Sequence, residues 1–572
     1  VSTVNGEENS SQQVSTTGGA KYIYTVPPGY VRDQDYTQVN TVQLNEQSMR
    51  LSVTNLRDGD SRGAFRNTNF DLLFRERLKM FVHMHNPENE SGQVSAFVRL
   101  GTDYTDNYYE IEIPNLVATP GNLTGDPDKD EALRQQVWPS ANELDIAFEE
   151  LVNLKARRNR QLTRQTALPF SDNSSNGRYR ITVVGNPDLS SVQSIMIGVR
   201  NPKMANDGER AKSFTVWVDE LRAYGYDQQA GIAAIGVANV KLADLATLTA
   251  SGRLTTFGFG GVQTRIGDRA RETTAEFGLS SAIAVDKLLP QNWGFRIPLY
   301  VNYDHRNINP HFDPLDPDMP LETSLATKAE GTERENYRKK VQDNTTRRGY
   351  NFSNVRKVKM NPNAKAHFYD FENFAFTYAY NDTKRTNILT QEYLQQQTRG
   401  GIAYTYSSQP KAFEPFRNKT AFEAPYLRWL KDFNLTPLPT LVSIRTDVDR
   451  SFIKTQLRSS DLTTNGIIPQ FEKYFLFNRY YDLTWNLTRS LVLTYKAQAN
   501  AIIDEPAGDI NTKAKRDSIM NSIKNLGRMK NFVQDIRATY RLPLDKIPLL
   551  DWMAADALYG VGYQFQANSF GI

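Results

Sequence analysis

The chain has 572 residues and no cysteine, and its 68 lysines and arginines nearly balance its 64 aspartates and glutamates. These totals exclude disulfides and thiolate chemistry, and the net charge of +4 gives no reason to expect a nucleic-acid partner. The 28 tyrosines, 29 phenylalanines and 6 tryptophans exclude a disordered chain and favour β-structure in which half of each strand faces water.

Residues 1–29 are rich in serine, threonine, glycine and asparagine, which predicts a flexible linker. The first residues contain no apolar core of a secretory signal. No apolar run in the chain reaches the roughly 18 residues of a membrane-spanning helix. We therefore expect the chain to be an internal segment of a longer protein.

Residues 30–227 contain short β-type runs that end at asparagine, glycine, proline or aspartate. These runs include "QVSAFVRLGTD", "NYYEIEIPN", "YRITVVGNP", "SIMIGVRNP" and "FTVWVDELRAYGYD". Such spacing predicts an antiparallel β-sandwich. The segment 143–158 has apolar residues at helical intervals and predicts a short helical excursion. We expect residues 30–227 to fold as a β-sandwich domain without detergent.

Residues 228–572 contain longer alternating strands, and the clearest pair is the hairpin "YDLTWNLTRSLVLTYKAQANA". One face of this hairpin is apolar and aromatic, and its candidate lipid-facing or girdle residues are Tyr481, Leu483, Trp485, Leu493 and Tyr495. The other face is polar, and its candidate lumen-facing residues are Asp482, Thr484, Asn486, Thr494, Lys496, Gln498 and Asn500. Period-two alternation of this kind is typical of a β-sheet that separates two solvents.

The connections in this region differ in length. Residues 488–490 form a tight reversal and 542–552 a short one, whereas 305–365, 409–438 and 504–530 are long and polar. Compact soluble domains rarely carry loops longer than about 15 residues, but outer-membrane barrels combine short turns at one end with long loops at the other. We therefore predict barrel strands with long polar loops over residues 228–572, although a soluble sheet would also alternate.

Several motifs occur in a distinctive order along the chain: "NYYEIEIP", "WVDELRAYGYD", "ANVKLADLATLTASG", "PHFDPLDPDMPL", "IIDEPAGDI" and "TYRLPLDKIPLLDW". With these motifs the chain resembles the SprA/Sov family, which supplies the outer-membrane translocon of the type IX secretion system and is linked to gliding motility. The resemblance implies antiparallel strands of a very large outer-membrane β-barrel, preceded here by the inserted β-sandwich. It also implies folded cargo proteins with a C-terminal sorting domain, a porin-like shuttle protein at a lateral opening, and a separate periplasmic plug protein.

Other constellations of polar residues favour structural roles. His83 and His85 lie two apart on a probable strand and share a face, but no third metal ligand is evident nearby. Asp313, Asp316 and Asp318 are spaced loosely like a calcium loop, yet the glycine and the bidentate glutamate of an EF-hand are missing. This pattern favours a proline-stiffened extracellular loop.

Catalytic arrangements are also absent from the sequence pattern. Asp219 and Glu220 are adjacent on a strand, so they should point to opposite faces and cannot flank one glycosidic bond. No G-x-S-x-G motif is present, and the chain has only 5 histidines. "GFGG" at 258–261 follows a strand pattern but precedes no helix, which favours a turn over a phosphate loop.

We accordingly predict a protein-conducting channel segment in the bacterial outer membrane, in contact with the lipid bilayer and without enzyme activity, metal or cofactor. Two alternatives stay open: an outer-membrane solute channel or transporter barrel, and a soluble carbohydrate-binding β-sandwich protein. The segment 504–530 combines a basic stretch with an apolar stripe at Ile519, Ile523 and Leu526. We predict that this segment forms a helix that either packs on its own barrel or docks a partner.

Overall fold

A computed structural model describes residues 1–5, 16–17, 19–32, 34–35, 42–88, 90–127, 129–161, 166–203, 210–361, 367–419, 422–459, 467–548 and 550–567. The strands of the first part of the chain are β1 (Ser2–Asn5), β2 (Thr16–Thr17), β3 (Ala20–Lys21), β4 (Gln34–Asp35), β5 (Val42–Gln43), β6 (Gln47–Leu56), β7 (Ser61–Phe70), β8 (Arg75–His85), β9 (Ser95–Gly101), β10 (Tyr108–Ile113), β11 (Leu144–Ala147), β12 (Phe170–Asn173), β13 (Arg180–Val184), β14 (Val192–Arg200) and β15 (Lys212–Tyr226).

The remaining strands are β16 (Ala233–Leu242), β17 (Ala246–Thr255), β18 (Glu272–Ala284), β19 (Phe295–Arg296), β20 (Pro298–Pro310), β21 (Phe312–Asp313), β22 (Asp316–Pro320), β23 (Asp343–Lys357), β24 (Phe374–Thr386), β25 (Thr390–Ser407), β26 (Leu441–Leu457), β27 (Gln470–Asn486), β28 (Leu491–Ile502), β29 (Arg528–Leu542) and β30 (Ala555–Gln566). The α-helices are α1 (Glu131–Val137), α2 (Phe148–Asn159), α3 (Leu321–Ala326), α4 (Thr332–Val341), α5 (Arg428–Lys431) and α6 (Lys513–Lys524). Within the described ranges, no helix is long and apolar enough to span a membrane.

The chain divides into two compact units. Unit 1 comprises Val1–Ile232, Thr255–Thr273 and Pro310–Val341, and unit 2 comprises Ala233–Leu254, Thr274–Asn309 and Gln342–Ile572. The chain is mainly β, as predicted, and the pairings with a recorded register in both units are antiparallel.

Unit 1 contains two sheets whose inner side chains form one core. The five-stranded sheet has the order β1-β6-β15-β8-β11, and the six-stranded sheet has the order β12-β13-β10-β9-β14-β7. Met80 and Val216 from the first sheet belong to the same buried cluster as Val98 and Ile111 from the second. The alternating short strands therefore bury one face each, as the sequence pattern of a sandwich requires.

The five-stranded sheet has a second buried face, and this face accounts for part of the segment predicted as linker. Phe81 and Trp217 project from its outer side into a cluster with Tyr22 and Tyr24. In addition, β1 pairs with β6. Ser2–Asn5, Tyr22 and Tyr24 therefore pack on the sandwich instead of forming a flexible linker, because an aromatic sheet face must be covered by apolar groups. Residues 6–15 and 18 of the predicted linker lie outside the described residues.

The predicted helical excursion begins later than its periodicity suggests. Residues 144–147 form strand β11, which pairs with β8, and α2 starts only at Phe148. Acidic residues occupy the first turn of α2 and basic residues its last turn, an arrangement that complements the helix dipole.

Unit 2 contains a thirteen-stranded sheet in which strand order follows chain order. The path is β16-β17-β18-β20-β23-β24-β25-β26-β27-β28-β29-β30, with β19 also paired to β23. Neither β16 nor β30 has a second neighbour among the described residues, so the sheet is open in this chain. The described strands therefore do not close into the predicted barrel.

The connections do not divide into short and long ends as predicted. The long connection 408–440 lies at the same end of the strands as the tight reversal 487–490, and the three-residue connection 387–389 lies at the end that carries 503–527. The supposed loop 305–365 contains the 15-residue strand β23. The expected asymmetry is thus wrong, because each end of the strands carries both a short and a long connection.

Candidate functional site: the polar face of the large sheet

The β27–β28 hairpin holds all twelve residues that the sequence predicts to face lumen or lipid. Its register opposes polar or amphipathic residues in the pairs Asp482–Lys496, Thr484–Thr494, Tyr480–Gln498 and Asn478–Asn500. Apolar residues alternate with them in the pairs Tyr481–Ala497, Leu483–Tyr495 and Trp485–Leu493. Directly opposed residues of an antiparallel pair share a face, so the predicted lumen set and lipid set lie on opposite sides of the hairpin.

The same division continues into neighbouring strands. One transverse row of directly opposed residues is Thr405, Ser443, Asp482, Lys496, Asp535 and Gly562. The adjacent row is Tyr406, Val442, Leu483, Tyr495, Ile536 and Val561. We call the side with Asp482 and Lys496 the polar face, and the side with Leu483 and Tyr495 the apolar face.

The polar face carries local ion pairs between hydrated side chains. Arg399 lies opposite Asp449 with an Nε–Oδ2 distance of 3.2 Å, and Arg537 lies 2.7 Å from Asp535. The side chain of Arg399 is 62% exposed. Such exposed pairs contribute at most about 1 kcal/mol each, but they cancel charge locally and keep the surface wet.

A concavity of about 1110 Å³ opens among the strands β16–β18, β20 and β23–β26. Its charged lining residues include both signs: Arg253, Arg306, Arg347 and Arg385, with Glu276, Asp304 and Asp343. Arg347 lies opposite Asp304 and Thr383, which assigns this concavity to the polar face. The mixed charge gives the concavity no strong preference for one sign of ligand.

Much of the apolar face is not covered by any residue that the structure describes, and many of its aromatic and aliphatic side chains are exposed. Tyr378 is 46% exposed, Ile402 47% and Tyr559 71%. Toward the end that carries the 503–527 connection, this face becomes ionic. Arg348 lies directly opposite Asp382, 2.7 Å from its carboxylate. The apolar face therefore has an apolar band that ends before the strands do.

The two histidines of unit 1 form a buried pair. His83 Nδ1 donates to the carbonyl oxygen of Val137 at 2.8 Å, and His85 Nδ1 then donates to His83 Nε2 at 2.9 Å. Trp217 stacks on His83 and Tyr22 on His85, each with ring centroids 3.9 Å apart. Burial lowers the pKa of His83 well below its ordinary value and lowers that of His85 to about 4. Both rings therefore pack as neutral groups, in line with the structural role favoured by the sequence.

The three aspartates of the segment 313–318 are buried rather than part of an exposed loop. Lys155 of α2, which is fully buried, donates to Asp318 at 2.7 Å and to the carbonyl oxygen of Pro187 at 2.7 Å, and it lies 2.5 Å from Asp316. Burial raises the pKa of Asp318, which also accepts a hydrogen bond from Tyr109 at 2.7 Å. A lysine thus occupies the position that a calcium ion would take in a cation-binding loop.

The prediction that Asp219 and Glu220 point to opposite faces is wrong. The register of β15 shifts between Asp219 and Arg222, and Glu220 adopts a left-handed φ of 51°, so both carboxylates come within 4.8 Å of Glu46. Asp219 accepts hydrogen bonds from Tyr24 at 2.9 Å and from Ser48 at 2.6 Å. The β-bulge explains the error, and those donors give Asp219 a structural role.

Sequence reasoning missed much of the polar face outside the hairpin. Strand β26 contributes Ser443, Arg445, Asp447 and Asp449 to that face by its register with β27. Their odd-numbered spacing was the signal that could have identified them. It was obscured because the intervening residues include threonine and arginine as well as valine and isoleucine.

The fold and the two-faced sheet define a class: a mainly antiparallel β-protein that combines a packed sandwich with a large amphipathic sheet. Residues 1–325 match a family model described as a motility related/secretion protein, the SprA N-terminal family. This match covers more than half of the 572 residues, and the chain belongs to that family, which confirms the resemblance seen in its motifs. No curated protein sequence matches the chain significantly.

Proposed function

We propose that unit 2 forms part of the wall of a protein-conducting channel in the bacterial outer membrane, the translocon of the type IX secretion system. The observation that carries the proposal is the continuous division of the sheet into a polar face and an apolar face, row by row across neighbouring strands. The family's association with motility and secretion supports the assignment.

The physical argument concerns the solvent that each face requires. Side chains such as Tyr378 and Tyr559 are largely exposed on the apolar face, and burying apolar area contributes about 25 cal/mol per Å². Lipid provides that burial, while the strands satisfy their backbone hydrogen bonds within the sheet. The polar face would then line a water-filled lumen, with Asp482, Thr484 and Lys496 among its residues.

A lumen of this composition suits the passage of folded proteins. Its ion pairs, such as Arg399–Asp449, cancel charge over short distances, so no single-sign field retains a passenger. Its hydroxyl and amide groups hold water, which limits apolar contact with cargo. The mechanism is passage through a gated opening, and we assign no catalytic residue, metal or cofactor to it.

The partners follow from family membership and are part of the proposal. They are cargo proteins with a C-terminal sorting domain, a porin-like shuttle protein at a lateral opening, a periplasmic plug protein and the lipid bilayer. Strands β16 and β30 have unpaired outer edges among the described residues, and further strands are needed there because open strand edges do not persist in lipid.

Single-cysteine labelling tests this proposal directly, because the chain has no cysteine of its own. Leu493→Cys and Thr494→Cys are matched neighbours on opposite faces of β28. In intact outer membranes, we expect a water-soluble maleimide to modify Thr494→Cys and to spare Leu493→Cys, which a lipid-soluble maleimide modifies instead. Equal reactivity of both positions toward the water-soluble reagent contradicts a membrane location of the sheet.

Two other functions share some of these features. An outer-membrane solute channel would have the same two faces, and it is separated from a protein channel by measuring cargo export in intact cells that lack the protein. A soluble carbohydrate-binding protein built on the sandwich would bind immobilised glycans and remain in solution without detergent. The exposed aromatic residues of the apolar face favour the membrane functions.

A further inference from the structure

Helix α6 lies in the connection between β28 and β29 and is held by contacts to the apolar side of the sheet. Lys473 of β27 donates to the carbonyl oxygens of Pro506, at 2.9 Å, and of Gly508. Arg450 of β26 pairs with Glu505. Strand parity places Lys473 and Arg450 on the apolar face, since they alternate with the residues of the polar face. The loop before α6 is therefore fixed on that side of the sheet.

The helix is attached to this same loop. Lys515 in its first turn donates to the carbonyl oxygens of Ala507 and Asp509, both at 2.9 Å, and Thr512 caps its N-terminus by accepting from the backbone N–H of Lys515. Two lysines, one from the sheet and one from the helix, thus bind four consecutive carbonyl groups. This arrangement ties α6, through its preceding loop, to the apolar side of β26 and β27 at the end that carries the 503–527 connection.

The outward side of α6 is basic and incompletely covered. Lys513, Arg516, Met520 and Lys524 follow at intervals of three and four residues and therefore share one side of the helix. No residue of α6 is buried, and Met520 is 53% exposed. Lys513 and Lys524 form no ion pair with any residue that the structure describes, and Asp517 is the only acidic residue of the helix.

We propose that α6 lies in the headgroup layer of the membrane and binds the anionic phosphate groups of lipids through Lys513, Arg516 and Lys524. A basic amphipathic helix that carries apolar side chains binds at such an interface, where its basic residues are attracted to the anionic surface. This proposal rests on the membrane location proposed for unit 2.

Two observations favour lipid over a protein partner. The anchoring residues Lys473 and Arg450 place the helix on the side of the sheet that requires an apolar solvent, at the edge of the apolar band, where lipid headgroups would begin. The outward side also offers one apolar residue, Met520, among three cations, whereas the core of a protein interface is depleted of charge.

The test uses the full-length protein in lipid nanodiscs made either of phosphatidylcholine alone or with about one third phosphatidylglycerol. Met520→Cys carries an environment-sensitive fluorophore, and lipids spin-labelled at the headgroup act as quenchers. We expect strong quenching in the anionic discs, and we expect the triple variant Lys513→Glu, Arg516→Glu, Lys524→Glu to lose at least about half of it. Asn521→Cys, on a different side of α6, is the matched control and should be quenched less.

A second reporter separates this proposal from the one on which it rests. A fluorophore at Leu493→Cys should be quenched by lipids labelled in their acyl chains, whatever the headgroup composition. Loss of that signal would overturn the membrane location of unit 2. Normal quenching at Leu493→Cys together with no quenching at Met520→Cys would overturn headgroup binding by α6 alone, and quenching that is the same in both disc types would overturn the role of anionic phosphate.

Discussion

The two units place their aromatic side chains in opposite surroundings. In unit 1, Trp217 and Tyr109 are completely buried, whereas in unit 2 Tyr559 is 71% exposed and Tyr378 is 46% exposed. Both units are built from antiparallel strands with alternating patterns. In unit 1 the apolar faces pack against a second sheet or an aromatic cover. In the described part of unit 2, no such layer covers much of the apolar face of the large sheet.

The comparison teaches that alternation alone does not determine what covers a β-sheet. In unit 1, residues of the same chain cover the apolar faces of the sheets, so these faces need no lipid or partner to bury them. In unit 2 the described residues leave much of the apolar face exposed, and lipid is the cover that we propose for it. Substitutions in the buried core of unit 1 and on the exposed apolar face of unit 2 should therefore have different consequences.

The largest expected effect is on the internal core. Replacing Lys155 with alanine leaves Asp316 and Asp318 without their cation in a buried site, and we expect unit 1 to lose about 3–5 kcal/mol of stability. Hydrogen exchange of peptides from β10 and α2 in the full chain measures this loss without isolating the unit. Arg157→Ala in the same helix is the control, because its pair with Asp172 is half-exposed and contributes at most about 1 kcal/mol. Equal effects of the two substitutions would contradict the role of the buried lysine.

The next effect concerns the external apolar face. Leu493→Arg should lower the amount of folded protein recovered from outer membranes, because a charge on the lipid face near the midplane costs about 2–4 kcal/mol. Thr494→Arg on the polar face should be tolerated, since its guanidinium stays hydrated. Leu493 is a cleaner choice than Trp485, whose indole N–H also donates to the carbonyl oxygen of Thr436. Equal recovery of the two variants would remove the distinction between the faces.

Acid should weaken unit 1 through its buried histidines. The pKa of His85 falls from 6.5 to about 4 because of burial and the nearby charge of Arg50. The unfolded chain therefore binds a proton that the folded chain does not, so stability is full above pH 6.5 and is lost as the pH falls toward 4. The loss due to His85 alone is at most about 3.4 kcal/mol. Hydrogen exchange in β8 and β15, corrected for intrinsic rates, should show this slope, and His85→Gln should reduce it to the part contributed by His83.

The smallest effect is expected at an ion pair of the polar face. Replacing Arg399 with glutamine removes its ion pair with Asp449. The side chain of Arg399 is largely exposed in this pair. We expect a change below about 1 kcal/mol in stability and no change in membrane assembly. A loss comparable to that of Leu493→Arg would mean that this face is buried against another structure rather than wet.

The short strands of unit 1 and the long hairpin of unit 2 were predictable because their alternation is regular. Strand β23 was not, since Arg348 and Thr346 occupy its apolar side and only Tyr350 and Phe352 keep the pattern. The salt bridge from Arg348 to Asp382 makes that polar strand compatible with the sheet, and it depends on a residue of another strand. The periodicity of the β23 sequence gives no information about a partner on another strand, such as Asp382.

The candidate site was predictable where it lies within one hairpin, because parity alone assigns a face to each residue from Tyr481 to Asn500. The wider polar face required the register of β25, β26 and β29, which depends on strand pairing. The ordered residues before position 30 were missed for a similar reason. Tyr22 and Tyr24 gain their role only from Trp217 and Phe81, which follow much later in the chain.

The contacts of Lys155 also determine when unit 1 can fold. Asp318 is 163 residues away from Lys155 and 209 residues away from Tyr109 in the chain, a separation that gives these contacts a high contact order. Synthesis proceeds from the N-terminus, so α2 exists long before its carboxylate partners do, and Lys155 must stay hydrated until they arrive. Loop closure over such distances slows folding. Nascent unit 1 therefore cannot complete these core contacts until the chain has been synthesised through Asp318.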